Sequence, residues 1–179
     1  MNRPDSGHDA ILQVNDLTVW AQGLGHSARL IESVSFTVAR HATTCLVGES
    51  GSGKSLTARA IIRLIDPPLS IDPAARILLD SRDLLGLTEP DMQRVRGGDI
   101  AIIFQEPMSY LNPVYTVGDQ VAETLVWHNK VSRREARQRT RELFRLVGIQ
   151  APDQRLHQFP HELSGGMQQR VMIAMALAC

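Results

Sequence analysis

Eight consecutive residues, Gly48-Glu49-Ser50-Gly51-Ser52-Gly53-Lys54-Ser55, carry the clearest chemistry in the chain. They fit the pattern G-x-x-x-x-G-K-[ST] at every fixed position. Glycines without a Cβ let the backbone wrap close to phosphate oxygens. Their N–H groups can then point inward as a nest, and the start of a following helix adds partial positive charge. Lys54 brings a full charge toward the β- and γ-phosphates, and Ser55 offers a hydroxyl to Mg²⁺. A flexible Gly/Ser turn could match the same string. What favours the phosphate site is context: a β-prone apolar run (residues 43–47) precedes it, and a helical stretch (residues 55–65) follows it. The loop points to a nucleoside triphosphate and does not single out one enzyme.

A second cluster is Leu163-Ser164-Gly165-Gly166-Met167-Gln168-Gln169-Arg170. Ser164 is a good N-cap, and two glycines leave the backbone bare at a helix start. Such a start can hold an anion, or it can simply be a capped helix. Two phosphate cradles so far apart in one chain make joint sense if a triphosphate is sandwiched between two subunits.

The elements that must hold these clusters follow from patterning. Residues 11–14 and 17–20 read as a strand region, and Gly23 and Gly25 mark a turn. Residues 30–38 alternate, with Ile31, Val34, Phe36 and Val38 on the apolar side, as a half-buried strand does. Residues 43–47 read as a buried strand containing Cys45. The helix after the glycine loop turns Leu56, Ile61, Ile62 and Ile65 inward and stops at Pro67-Pro68. Residues 77–79 read as a short strand, 91–96 as a short helix and 100–104 as a second buried strand. Residues 117–128 and 133–147 read as helices. The second is amphipathic, with Ala136, Thr140, Leu143, Phe144 and Val147 on one face and Gly148 at its end. From Ser164 onward, Met167, Val171, Met172 and Met175 recur at helical spacing.

Composition sets the outer limits. With 179 residues, 43% apolar and 21% charged, the chain can bury a core of its own. Lys+Arg and Asp+Glu both number 19, which gives no pointer to nucleic acid. The basic run Lys130, Arg133, Arg134, Arg137, Arg139, Arg141 and Arg145 lies opposite an apolar helix face. It reads as a solvated surface, with weak attraction to anionic lipid as the other reading. The first ten residues look disordered and lack the apolar stretch of a signal peptide. No apolar run has the roughly 18–20 residues that span a bilayer. The two cysteines, Cys45 and Cys179, read as reduced thiols.

With these residues in view, the sequence resembles the ATP-binding-cassette family. GESGSGKS looks like its Walker A motif, LSGGMQQR like its signature motif, and IAIIFQEPMSYLNP like its Q-loop region. The segments VGESGSGKS, FQEPMSYLNPVYTVG and PHELSGGMQQRVMIAMALAC resemble the branch that powers uptake of dipeptides, oligopeptides, nickel or glutathione. The resemblance implies an α/β P-loop NTPase: an N-terminal antiparallel β region, a RecA-like α/β core and a helical subdomain. The expected layout is 1–10 disordered, 11–106 the β region plus core, 107–165 the helical subdomain, and 166–179 the signature helix returning to the core.

The resemblance also implies roles. ATP and Mg²⁺ are the expected cofactors. Gly48, Glu49, Ser50, Gly51, Ser52, Gly53, Lys54 and Ser55 would cradle the phosphates. Lys54 and Gln105 would take part in catalysis, and Ser55 and Gln105 would ligate Mg²⁺. Ser164, Gly165 and Gly166 would contact the γ-phosphate of ATP on another subunit, which implies a head-to-tail dimer. Trp20 is the candidate for stacking on adenine, with plain packing as the other reading. Residues 106–113 would help receive a membrane (permease) subunit, or else pack inward. A periplasmic or extracellular solute-binding protein would take part indirectly, nucleic acid would not, and the place would be peripheral on the cytoplasmic face of the cell membrane. Nothing in the chain resembles a Walker B aspartate, catalytic glutamate or switch histidine, and His161 precedes the signature. The resemblance therefore implies a C-terminally truncated cassette that alone hydrolyses ATP negligibly. Two other readings stay open: a non-catalytic fragment, and a cassette ATPase not linked to transport.

Overall fold

The structure, a computed structural model, describes residues 10–23, 27–104 and 110–179. These fall into two compact units, one ending at Met92 and the other running from Gln93 to Cys179.

The first unit is built on an antiparallel sheet. Strands β1 (Ala10–Gln22), β2 (Ser27–Ala39), β3 (Leu69–Ile71), β4 (Arg76–Leu79) and β5 (Arg82–Asp83) take the order β2-β1-β4-β5, with β3 also paired to β1. The β1–β2 ladder shifts register repeatedly, as between Val14/Leu17 and Leu17/Val19. Two residues near these shifts, Asp16 and Ser33, have positive φ. Cross-strand hydrogen bonds hold them: Ser33 Oγ donates to Asp16 Oδ1 at 3.1 Å, and the Asp16 amide donates to Ser35 Oγ at 2.8 Å. Val14, Leu17, Val19 and Ile77 are fully buried, and Ile31 nearly so, while the alternate residues of β2 face outward. That is the period-2 pattern expected for β2.

Helix α1 (Lys54–Ile61) follows the glycine loop. It ends before the expected stop at Pro67-Pro68. Arg63 adopts a left-handed φ of 55°, and its guanidinium donates to the carbonyls of Leu84 and Leu87 at 3.2 and 2.7 Å. A side-chain anchor ends the helix there, ahead of the prolines. Helix α2 (Glu89–Gly98) is kinked at Arg96 and Gly97.

Two expected strands are absent. Residues 43–47 have no regular secondary structure and are exposed, with Val47 at 90% and Leu46 at 48%. Cys45, expected in a buried strand, is exposed. Residues 100–104 form no strand either; only Ile100 makes an isolated bridge, to Arg96. The physical reason is shared. An apolar run becomes a buried strand only when neighbours complete its ladder, and among the described residues none does.

The second unit is helical: α3 (Val117–Asn129), α4 (Arg133–Leu146), α5 (Pro152–Arg155), a 3-10 turn (Pro160–Glu162) and α6 (Gly165–Leu177). Thr116 and Ser132 cap α3 and α4, accepting from the amides of Asp119 and Glu135. The core gathers Val117, Val121, Leu125, Ala136, Phe144, Leu163 and Val171. On α4 the expected face is inward, with Ala136, Thr140 and Phe144 buried. Gly148 ends the helix with φ 75°. The basic face is laced with ion pairs, Arg137–Asp119 and Arg139–Glu135 among them, as a solvated surface would be. No helix of the described residues is long and apolar enough to cross a membrane.

Gly118 marks a tight backbone seam in this unit. A Cβ there would lie 2.4 Å from the Leu156 carbonyl oxygen and 2.9 Å from Leu156 Cα. Backbone cannot yield as a flexible side chain can. Gly118→Ala is therefore expected to destabilise the fold by about 1–3 kcal/mol, read as a lowered urea midpoint. Gly165→Ala, where a Cβ meets nothing within 4 Å, is expected to leave the midpoint unchanged.

Candidate functional site

The glycine loop has the shape its sequence requires. Gly51 and Gly53 take φ of 83° and 86°, values that cost little only for glycine. The Ser52 amide closes a turn onto the Glu49 carbonyl at 3.2 Å. A Cβ on Gly48 would fall 2.6 Å from Ser52 Oγ, and one on Gly53 would press on Ile31 Cγ1 at 3.3 Å. Both ends of the loop are therefore packed too closely for another residue without movement.

Lys54 folds back over this loop. Its ammonium donates to the Gly48 carbonyl at 2.8 Å, the Glu49 carbonyl at 2.6 Å and Ser52 Oγ at 3.2 Å. All three acceptors are neutral, so a full positive charge sits at the loop uncancelled by any carboxylate among them. Helix α1 starts at this point with Gly53 as its N-cap, no side-chain cap bond and no acidic residue in its first turn. The amides of a helix start need partners from outside the helix, and here no side chain of the helix's own supplies one. Charge, dipole and donors thus point to one class of ligand, an anion with several oxygens. Ser55, in the first turn, is exposed.

Helix α6 starts differently. Ser164 is its N-cap, extended at ψ 156°, and its hydroxyl accepts from the Met167 amide at 3.4 Å. Ser164, Gly165 and Gly166 are all exposed. A Cβ on either glycine would meet nothing within 4 Å, and no acidic residue stands in the first turn. This start is open to a large ligand. Each of the two starts sits in its own unit.

The remaining expected residues fare unevenly. Trp20 lies on β1, half-buried. Its indole N–H donates to Asp72 Oδ2 at 3.1 Å, and the Arg29 guanidinium carbon stands 5.3 Å from the ring centroid. Gln105 and residues 106–109 lie outside the described residues, as do Gly25 of the expected turn and residues 1–9. Of the expected docking segment, Leu111 is buried in the helical core, while Tyr110 is half-exposed and stacks on Phe104 at 3.8 Å between centroids.

Two buried glutamines escaped the sequence reading. Gln120 ties the loop before α3: its Oε1 accepts from the Asn112 amide at 2.9 Å, and its Nε2 donates to the carbonyls of Asn112 and Tyr115 at 3.0 and 3.1 Å. Gln168 is 2% exposed, and its Nε2 donates to the carbonyls of Pro160 and Leu163 at 2.8 and 3.3 Å. The available signal was a polar residue at a helical position whose spacing from Val117 and Val121, or from Val171 and Met172, demands burial.

Comparison with known proteins fits this geometry. The structure overlays on the ATP-binding cassette MJ0796, solved as a dimer in a post-hydrolysis state bound to ADP and Pi. The TM-score is 0.80 at 25% identity, over 93% of this chain and 69% of that one. The fold is that of an ATP-binding cassette. Residues 31–179 match the family model described as ABC transporter, and the chain belongs to that family. It is 48% identical over 168 residues to the oligopeptide transport ATP-binding protein OppD of Bacillus subtilis (strain 168), covering 94% of this chain and 47% of that protein. It is 49% identical over 168 residues to the peptidoglycan transport ATP-binding protein YejF of Agrobacterium fabrum (strain C58 / ATCC 33970), covering 94% of this chain and 31% of that protein. The chain thus spans half or less of the length of these relatives.

The contact between Trp20 and Asp72 has a pH signature. The Asp72 carboxyl is held below its ordinary value of 3.8, first by the Ala74 amide and second by the Trp20 indole, against a smaller opposing effect of burial. The folded chain thus favours the carboxylate. The contact is fully present above the unfolded-state value and fades as pH falls through the lower folded value. Trp20 and Trp127 are the two tryptophans, so in a Trp127→Phe background the emission reports Trp20. Its acid titration is expected to have a midpoint below 3.8 and to vanish in Asp72→Asn. A midpoint at or above that value would contradict the contact.

Proposed function

We propose that this chain is the nucleotide-binding part of an importer ATPase. It would hold ATP and Mg²⁺ at the glycine loop and couple that binding to solute uptake. The observation that carries the reading is the Lys54 ammonium, fixed by Gly48, Glu49 and Ser52 beside a helix start that no side chain caps. Only a ligand with several anionic oxygens can use that charge and those amides together.

In this proposal Gly48, Glu49, Ser50, Gly51, Ser52 and Gly53 wrap the phosphates through backbone amides, and Lys54 neutralises the β- and γ-phosphates. The described residues hold no group of three or more His, Cys, Asp or Glu able to bind a metal. Ser55 supplies one exposed hydroxyl, so Mg²⁺ would take its other ligands from phosphate oxygens, water and Gln105. Gln105 would also sense the γ-phosphate. Trp20 would offer its ring to adenine. Ser164, Gly165 and Gly166 would close on the γ-phosphate of ATP held by a second copy in a head-to-tail dimer.

Coupling to uptake rests on the relatives. OppD is named for oligopeptide transport and YejF for peptidoglycan transport, so a peptide-like solute is the proposed cargo. Permease subunits are the proposed partners, with a solute-binding protein acting through them, and the chain would sit peripherally on the cytoplasmic membrane face. The half-exposed Tyr110 and the exposed Val114 and Tyr115, held in place by Gln120, support a docking role for the loop before α3.

Equilibrium dialysis against ATP tests the first step. Lys54→Ala is expected to weaken binding by about tenfold or more, the loss of one charge-assisted contact. Equal binding by both proteins would remove the nucleotide assignment.

A further inference from the structure

We propose that Gln168 is a positioning residue for the start of α6: its buried amide clamps the turn that aims Ser164, Gly165 and Gly166. The inference rests on the proposal that these three residues meet a triphosphate.

Gly165 and Gly166 have open space on every side a Cβ would occupy. No neighbour steers them, so their direction is set by the helix and by the turn entering it. That turn begins at Pro160, which is buried, and ends at Leu163, which packs in the helical core. The Pro160 carbonyl accepts twice, from the Leu163 amide at 3.1 Å and from Gln168 Nε2 at 2.8 Å. Gln168 Nε2 reaches the Leu163 carbonyl as well, at 3.3 Å. One side-chain amide thus ties both ends of the turn to the fourth residue of the helix. The peptide unit it holds at Leu163 is the one joined directly to Ser164. At the outer end, the Phe159 amide donates to Glu162 Oε2 at 2.6 Å, which fastens the approach.

The orientation of the amide is forced. Turned over, Gln168 would set an oxygen against two carbonyl oxygens. In the observed orientation Oε1 is buried and accepts nothing among the described residues. Leaving an acceptor unpaired is unfavourable, and an apolar side chain of the same length would avoid it. The unpaired oxygen is thus tolerated beside two donated hydrogen bonds that fix the geometry of the turn.

The test compares the chain with Gln168→Met, which removes the donor at similar volume, and Gln168→Lys, which restores one. Hydrogen exchange at the Leu163 and Met167 amides is expected to run about tenfold faster in Gln168→Met, as two lost hydrogen bonds imply. It should return toward the original rate in Gln168→Lys, while amides in the middle of α6 stay unchanged. Unchanged rates at Leu163 and Met167, or a uniform rise along all of α6, would overturn the clamp. In the same samples, ATP affinity at the glycine loop should match the unsubstituted chain, and ATP-dependent self-association, followed by sedimentation, should weaken about tenfold. Association as strong as in the unsubstituted chain would overturn the aiming role. If the unsubstituted chain binds ATP without associating, the two-cradle reading fails instead, and the exchange rates still judge the clamp.

Discussion

A helix start carries amide donors that its own backbone cannot satisfy, and that constraint organises both clusters described above. Two helices of the second unit meet it locally. Thr116 and Ser132 cap α3 and α4 with a hydroxyl, and acidic residues stand in both first turns. Helix α1 does neither. Its N-cap is a glycine in a left-handed conformation, and nothing acidic follows. Helix α6 is intermediate, with a serine cap on one amide and two bare glycines leaving the others exposed. Helix α1 lacks both a capping side chain and an acidic first turn, α6 lacks only the acidic first turn, and what remains at each is a surface suited to anionic oxygens.

The rest of each unit keeps those starts in place. In the first unit, Gly53 at the end of the loop lies close against the buried Ile31 side chain, which fixes the point where α1 begins. In the second, the packed core reaches up to Leu163, one residue before the α6 cap. Rigid packing close behind an open backbone is what lets a site be both exposed and well aimed.

Much of this was legible in the residues alone, for reasons that differ by element. Helix α4 shows its own periodicity, because the same face is buried whatever lies beyond it. Strand β2 does so by alternation. The glycine loop is legible because a positive φ at Gly51 and Gly53 and an ammonium at Lys54 leave few other residue choices. Runs 43–47 and 100–104 were misjudged because composition records the appetite for a strand partner and says nothing of its supply. Strands β3 and β5 are too short to show a period. The end of α1 depends on Arg63 reaching carbonyls of residues far along the chain, which no local pattern announces. Gln120 and Gln168 break the apolar phase of their helices, and their partners lie in turns whose path only the fold reveals.

The way Lys54 is held carries a consequence for selectivity. Its ammonium already has three acceptors within the loop. Any incoming molecule must therefore outcompete carbonyl and hydroxyl oxygens that cost nothing to recruit. A neutral ligand offers the lysine nothing better and gains little by displacing them. A multiply charged one exchanges ordinary dipoles for formal charge, and the swap runs downhill. The loop would thus act as its own reference competitor, setting a threshold of charge for whatever it binds.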